Sequence, residues 1–169
     1  MIDLAATTPA VEALASALRH RGWRLATAES CTGGLIAAVC TSLAGSSDWF
    51  ERGFVTYSNA AKVEMLGVDA ALIAAHGAVS GEVAGAMAAG AIARSTADWA
   101  VAVTGIAGPG GAVPGKPVGT VWLGWMQRGA APASGRLQLA GDRNSVRAQT
   151  VALALQRLLD LCGDPAGRG

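Results

Sequence analysis

Eight residues, Thr-Ala-Glu-Ser-Cys-Thr-Gly-Gly at 27–34, constrain this chain more than any other stretch. A short apolar-alternating run with Trp23 and Leu25 precedes them, and a helical run with Leu35, Ile36 and Val39 follows. The stretch therefore reads as a strand-to-helix turn. Paired glycines let a ligand approach the backbone closely. The free amides of a helix's first turn favour an anionic group or a developing oxyanion. Ser30 stands at the mouth of that turn as an N-cap, a phosphate contact or a nucleophile, and the stretch alone leaves the three open.

The rest of the chain supplies the frame. Val11, Leu14, Ala15 and Leu18 share one helical face after a loose start over 1–8. A strand over 23–28 and a helix over 32–43 flank the turn, and a small-polar loop, 44–48, leads to a strand at 52–57. Ser58 or Asn59, Asp69 and Ser80 are N-caps for three successive helices, the first ending at Gly67. Residues 98–103 read as a buried strand, 104–117 as a glycine-proline loop, and 118–127 and 134–140 as two further strands. The first of these two is nearly all apolar and is expected at the centre of the sheet. Asp142 caps a last helix over 143–161, and the tail 163–169 is expected to fray. Crossover helices followed by adjacent strands predict one domain over 1–169, a three-layer α/β/α sandwich around a mixed parallel and antiparallel sheet.

Composition narrows the function classes. The chain has 169 residues, 51% apolar and 15% charged, with a net charge of +1. No Lys/Arg cluster marks a nucleic-acid or membrane surface, no apolar run reaches the length of a membrane span, and the start lacks a signal-peptide pattern. A cytoplasmic protein is expected. Cys31, Cys40 and Cys162 form no CxxC pair, and His20 and His76 are isolated, so neither a metal centre nor a cofactor is expected.

Ligands of open α/β sheets collect beyond strand ends, and 29–34, 57–62 and 104–111 have that character. Lys62 falls in the first turn of a helix, where the local field and partial burial would lower its pKa and favour a neutral amine. A general base needs that form; an exposed helix lysine is the plainer alternative. The four glycines of Thr104-Gly105-Ile106-Ala107-Gly108-Pro109-Gly110-Gly111 can wrap a phosphate or ribose, yet they match neither common nucleotide fingerprint. Neither histidine suits a Ser-His-Asp triad, whereas Ser-Lys chemistry needs one neutral lysine. Lys62 and Lys116 are the two lysines of the sequence, and Lys116 lies in the glycine loop. Ser46, Ser47 and Asp48 can orient a substrate or simply solvate a loop. Arg143 and Arg147, one turn apart, can hold a carboxylate or phosphate or line a solvated face. Cys31 is a weaker candidate nucleophile. Five tryptophans offer surface for stacking or for contacts between copies of the chain, so a homo-oligomer stays open. Trp49 is the tryptophan expected to touch ligand.

Seven segments, in order, resemble the carboxy-terminal domain of the CinA (competence/damage-inducible) family over about residues 25–155. They are Ala-Glu-Ser-Cys-Thr-Gly-Gly (28–34), Ala-Gly-Ser-Ser (44–47), Arg-Gly-Phe-Val-Thr-Tyr-Ser-Asn (52–59) with Lys62, His-Gly-Ala-Val-Ser (76–80), Thr-Gly-Ile-Ala-Gly-Pro-Gly-Gly (104–111), Lys-Pro-Val-Gly-Thr-Val (116–121) and Gly-Asp-Arg (141–143). The resemblance implies a metal-independent amidohydrolase of pyridine-nucleotide salvage that converts nicotinamide mononucleotide to nicotinate mononucleotide and ammonia. It implies Ser30 as nucleophile and Lys62 as base, with Tyr57, Ser47 and Thr104 as polar partners. Thr32, Gly33 and Gly34, then Gly105, Ala107 and Gly108, and Arg143 or Arg147 become the expected substrate contacts. Larger members carry an additional amino-terminal domain, and activity associated with it is not expected here. The alternative from another class is a non-catalytic nucleotide- or partner-binding module of a DNA-uptake or damage response.

Overall fold

Four helices begin where a side chain from the preceding residue accepts a backbone amide. Ser58 accepts from Ala61, Asp69 from Ala71, Ser80 from Val83 and Asp142 from Ser145. Each cap satisfies a donor that the helix itself leaves unpaired. The computed structural model describes residues 4–163, so the expected fraying beyond Gly163 lies outside the described residues.

The order is α1 (Leu4–Arg21), β1 (Leu25–Glu29), α2 (Leu35–Thr41), a 3-10 turn (Ser46–Asp48), β2 (Phe50–Val55), α3 (Asn59–Leu66), α4 (Ala70–His76), α5 (Gly81–Ala93), β3 (Trp99–Gly105), β4 (Thr120–Gln127), β5 (Ala133–Gln138) and α6 (Arg143–Cys162). Helix α1 starts earlier than the loose start read from the sequence, and β2 ends before Tyr57. The sheet runs β2-β1-β3-β4-β5. Strands β2, β1 and β3 are mutually parallel, whereas β4 and β5 join antiparallel. This is the mixed sheet of an α/β/α sandwich.

The apolar β4 is not the central strand; β3 is. Its apolar character comes from cover rather than rank. Helix α5 presses on one face so closely that a Cβ at Gly124 would meet the Ala84 carbonyl. One core packs α1, α2 and α6 against Leu25, Val101 and Leu123; the other packs α5 and Leu66 of α3 against Ala26, Ala28 and Ala102. Among the described residues, no helix is long and apolar enough to cross a membrane.

Register positions the site. Glu29 pairs with Val55 on one side and Val103 on the other. The ladders continue one residue further, since the Ser30 amide donates to Val103 O at 3.0 Å and the Thr56 amide to Glu29 O at 2.8 Å. Ser30, Thr56 and Thr104 therefore form a row across the carboxyl ends of three parallel strands. Side chains alternate between faces. Glu29 points toward α2, so the row points to the opposite face, where α3 and α5 pack.

Candidate active site

Helix α2 has no polar residue at its N-cap. Gly34 occupies that position at φ 94°, a left-handed conformation that favours glycine. The cap comes from the preceding strand. Glu29 Oε2 accepts from the Gly34 amide at 3.0 Å, the Ile36 amide at 3.0 Å and the Thr32 hydroxyl at 2.7 Å, while Oε1 accepts from the Ala37 amide at 2.9 Å. Glu29 is 1% exposed. Sequence reasoning missed this residue. The available signal was an acid just before a Gly-Gly helix start that lacks a capping side chain.

This arrangement decides what the turn can bind. The Gly33 amide donates to Ser30 O at 3.0 Å, and the Gly34 amide is held by Glu29. The Thr32 side chain is fully buried and also belongs to Glu29. Among the described residues, the amides of Cys31 and Thr32 donate to no backbone carbonyl or side-chain oxygen. The expectation of donors throughout the turn narrows to these two.

Ser30 and Lys62 come together. Lys62 Nζ lies 3.0 Å from Ser30 Oγ, 2.9 Å from Thr56 O and 3.4 Å from Tyr57 O. Helix α3 follows β2 after a short turn, so its first turn hangs beside Ser30 and its lysine reaches back under the strand ends. Lys62 is 1% exposed and Ser30 8%. Burial pulls the Lys62 amine below its ordinary value, and the neighbouring Cys31 thiol opposes that shift. The exposed-lysine alternative does not describe this side chain. Cys31 is itself buried with Ala107, Val121 and Val146, and burial pushes its thiol up to about 11.

The remaining candidates divide. Thr104 shares the Ser30 row, with its hydroxyl donated to Ala78 O at 2.9 Å. Tyr57 gives its carbonyl to the lysine, while its exposed phenol accepts from Arg143 Nη2 at 2.9 Å. Arg143 Nη1 also donates to Gly108 O at 3.0 Å, tying the Tyr57 turn to the glycine loop and to the start of α6. A recess of about 370 Å³ opens here, lined by Ala107, Pro109, Val118 and the 141–144 corner. Arg147 donates to Cys31 O at 3.2 Å and Thr32 O at 3.0 Å, holding the Ser30 turn from the α6 side. Gly105 lies against β4, where a Cβ would meet Val121 and Thr120 O. Ala107 is buried in the core, so in that loop it is the Gly108 carbonyl that faces Arg143.

Two residues are elsewhere. Ser47 lies in the 3-10 turn before β2, at the amino end of the parallel strands, whereas Ser30 lies at their carboxyl end. A five-residue strand spans about 16 Å, so the structure does not bring Ser47 to Ser30. Trp49 is fully buried in the core beside α1, α2 and α6 and presents no face to a ligand.

Comparison with known proteins fits this geometry. The CinA C-terminal domain family matches residues 7–162. The nicotinamide-nucleotide amidohydrolase PncC of Escherichia coli K12 is 52% identical over 147 residues, 87% of this chain and 89% of that protein. Its namesake from Pseudomonas putida is 56% identical over 144 residues, 85% of this chain and 89% of that one. The crystal structure of the competence/damage-inducible protein CihA from Agrobacterium tumefaciens superposes with a TM-score of 0.88 at 45% identity, covering 90% of this chain and 93% of that one. With the match spanning nearly every described element, this chain belongs to the CinA C-terminal domain family.

Proposed function

We propose that the protein is a nicotinamide-nucleotide amidohydrolase that converts nicotinamide mononucleotide to nicotinate mononucleotide and ammonia, with Ser30 as nucleophile and Lys62 as general base. The reading places it in pyridine-nucleotide salvage, in the cytoplasm. The observation that carries it is the buried 3.0 Å contact between Lys62 Nζ and Ser30 Oγ, in a chain about half identical to proteins named for this activity.

The hydrogen-bond partners around Lys62 support proton transfer from Ser30 to the amine. A neutral amine has two hydrogens and one lone pair. In the resting site Lys62 Nζ donates to Thr56 O and Ser30 Oγ, and the Ser30 hydroxyl donates to Tyr57 O at 3.5 Å. Turning the amine's two hydrogens to Thr56 O and Tyr57 O leaves its lone pair for the Ser30 hydroxyl. Burial favours that neutral form. Lys62 takes the hydroxyl proton as Ser30 Oγ attacks the carboxamide carbon. The carbonyl oxygen becomes an oxyanion, for which the Cys31 and Thr32 amides are the remaining donors in the turn. The intermediate collapses with cleavage of the C–N bond, and the Lys62 ammonium passes its proton to the departing nitrogen, giving ammonia and a Ser30 ester. Water then attacks the ester with Lys62 again as base, releasing the pyridine carboxylic acid and restoring Ser30.

The test is ammonia release from nicotinamide mononucleotide by the wild type, Ser30→Ala and Lys62→Ala. The wild type is expected to turn over, and each variant to lose about a thousandfold or more, since nucleophile and base act as one unit. Full activity in either variant overturns the dyad. Saturable binding without turnover by the wild type overturns the enzyme.

A further inference from the structure

Thr56 carries a hydroxyl that the fold leaves alone. Oγ1 is buried and has no hydrogen-bond partner among the described residues, and the residue is fully buried. An unsatisfied buried polar group costs about 1–3 kcal/mol. Valine has nearly the same shape and would avoid that penalty. Both backbone groups of Thr56 are engaged, the amide with Glu29 O and the carbonyl with Lys62 Nζ.

The alternation of β2 says where the hydroxyl lies. A Cβ at Gly53 would meet Thr27 Oγ1 and Ala37, and Val55 Cγ2 sits beside Gly34, so both residues face α2. Phe54 packs in the opposite core with Leu66 and Met87. Thr56 follows Phe54 in that alternation, on the face that holds Ser30 and Lys62. Lys62 Nζ already lies 2.9 Å from the carbonyl oxygen of this same residue.

We propose that Thr56 is a positioning residue for Lys62, its hydroxyl accepting the ammonium hydrogen that Ser30 Oγ gives up once that oxygen is bonded to the tetrahedral carbon of the intermediate. This rests on the Ser30 and Lys62 roles given above. In the free site an ammonium has three acceptors for three hydrogens: Thr56 O, Tyr57 O and Ser30 Oγ. In the tetrahedral intermediate Ser30 Oγ is bonded to carbon and crowded, a poorer acceptor, so the ammonium formed by proton transfer is a buried cation with two carbonyls, one of them 3.4 Å away. A turn about the Thr56 Cα–Cβ bond supplies the third. Thr104, the other hydroxyl of the row, already bonds Ala78 O. The charged and titratable neighbours are otherwise committed. Glu29 faces α2 with both oxygens occupied, Arg143 bonds Tyr57 and Gly108, Arg147 bonds Cys31 O and Thr32 O, and Cys31 is held as a thiol.

Two lysines make the test direct. In protein labelled with nitrogen-15 lysine, the Lys62 ζ-nitrogen is assigned by its loss in Lys62→Met and titrated by NMR. The parent is Ser30→Ala, which removes the Oγ acceptor without any turnover. Adding Thr56→Val is expected to lower the Lys62 midpoint by about half a pH unit or more, since a bond to the charged form is lost. Adding Thr56→Ser instead is expected to leave it at the parent value. In protein with Ser30 intact, Thr56→Val is expected to keep a thermal midpoint no lower than the wild type's, because there the hydroxyl has no bond to lose. An unchanged Lys62 midpoint in the Thr56→Val protein overturns the proposal, whatever happens to thermal stability. The titration needs no substrate, so its failure is distinct from failure of the wild type to release ammonia.

Discussion

Glu29 Oε2 accepts the Gly34 amide at 3.0 Å, so the first turn of α2 is capped from within the strand that carries Ser30. The same carboxylate holds two more amides and the Thr32 hydroxyl. Glu29→Ala orphans all four donors in a buried setting. At about 1–3 kcal/mol for each unsatisfied group, and with some relaxation, a loss of about 3 kcal/mol or more is expected in urea unfolding. A wild-type midpoint would show that the cap is dispensable.

Lys62 predicts a pH dependence of stability. Its folded-state value lies below the ordinary 10.5 because of burial. Between the two values the unfolded chain binds more protons, so stability rises with pH across that window and the contribution is lost as pH falls through the folded value. Lys62→Met is expected to flatten this slope. Denaturant midpoints measured from pH 6 to 10.5 check it, and parallel curves for the two proteins count against a depressed lysine.

The kinetic counterpart is an acid limb. If neutral Lys62 is the base, kcat/KM rises with pH up to the free-enzyme value of that lysine, below 10.5. Rates of ammonia release between pH 5.5 and 9.5 test this. A profile that is flat throughout removes a titrating lysine from the mechanism.

Arg143 bridges Tyr57 Oη and Gly108 O at the edge of the recess. Losing its fork should weaken substrate binding more than chemistry. Arg143→Ala is expected to raise KM about tenfold or more with kcat changed far less, and lysine, lacking the planar fork, should restore little. Equal losses in kcat and kcat/KM would instead mean that Arg143 acts on the reacting atoms.

Ser47 and Trp49 serve as controls. Ser47→Ala is expected to keep kcat/KM within about twofold, as surface changes away from a site commonly do. Trp49→Ala opens a core cavity and should cost about 3–5 kcal/mol of stability, read by thermal unfolding.

The order of elements was legible because the punctuation is local. Ser58, Asp69, Ser80 and Asp142 each cap a helix with a side chain next to its start. Lys62 was legible as a partner for Ser30 because lysine is scarce and each stands where a strand gives way to a helix. What stayed hidden depends on register. Thr56 matters because it pairs beside Ser30 on one face, and Glu29 because its side chain turns to the other; neither spacing appears in a linear reading. The rank of β4 was misread because cover on both faces makes a strand apolar wherever it lies in the sheet. Ser47 belongs to a motif near Ser30 in sequence, but a strand's length separates them in space.

The Glu29 cap has a further effect on direction. An internal anion already occupies the helix start behind Ser30, whereas the Arg143 guanidinium stands between the Tyr57 turn and the glycine loop. A ligand with one neutral end and one anionic end therefore meets an asymmetric field. Its charged end is repelled at one wall and attracted at the other, so only one of its two head-to-tail orientations is favoured.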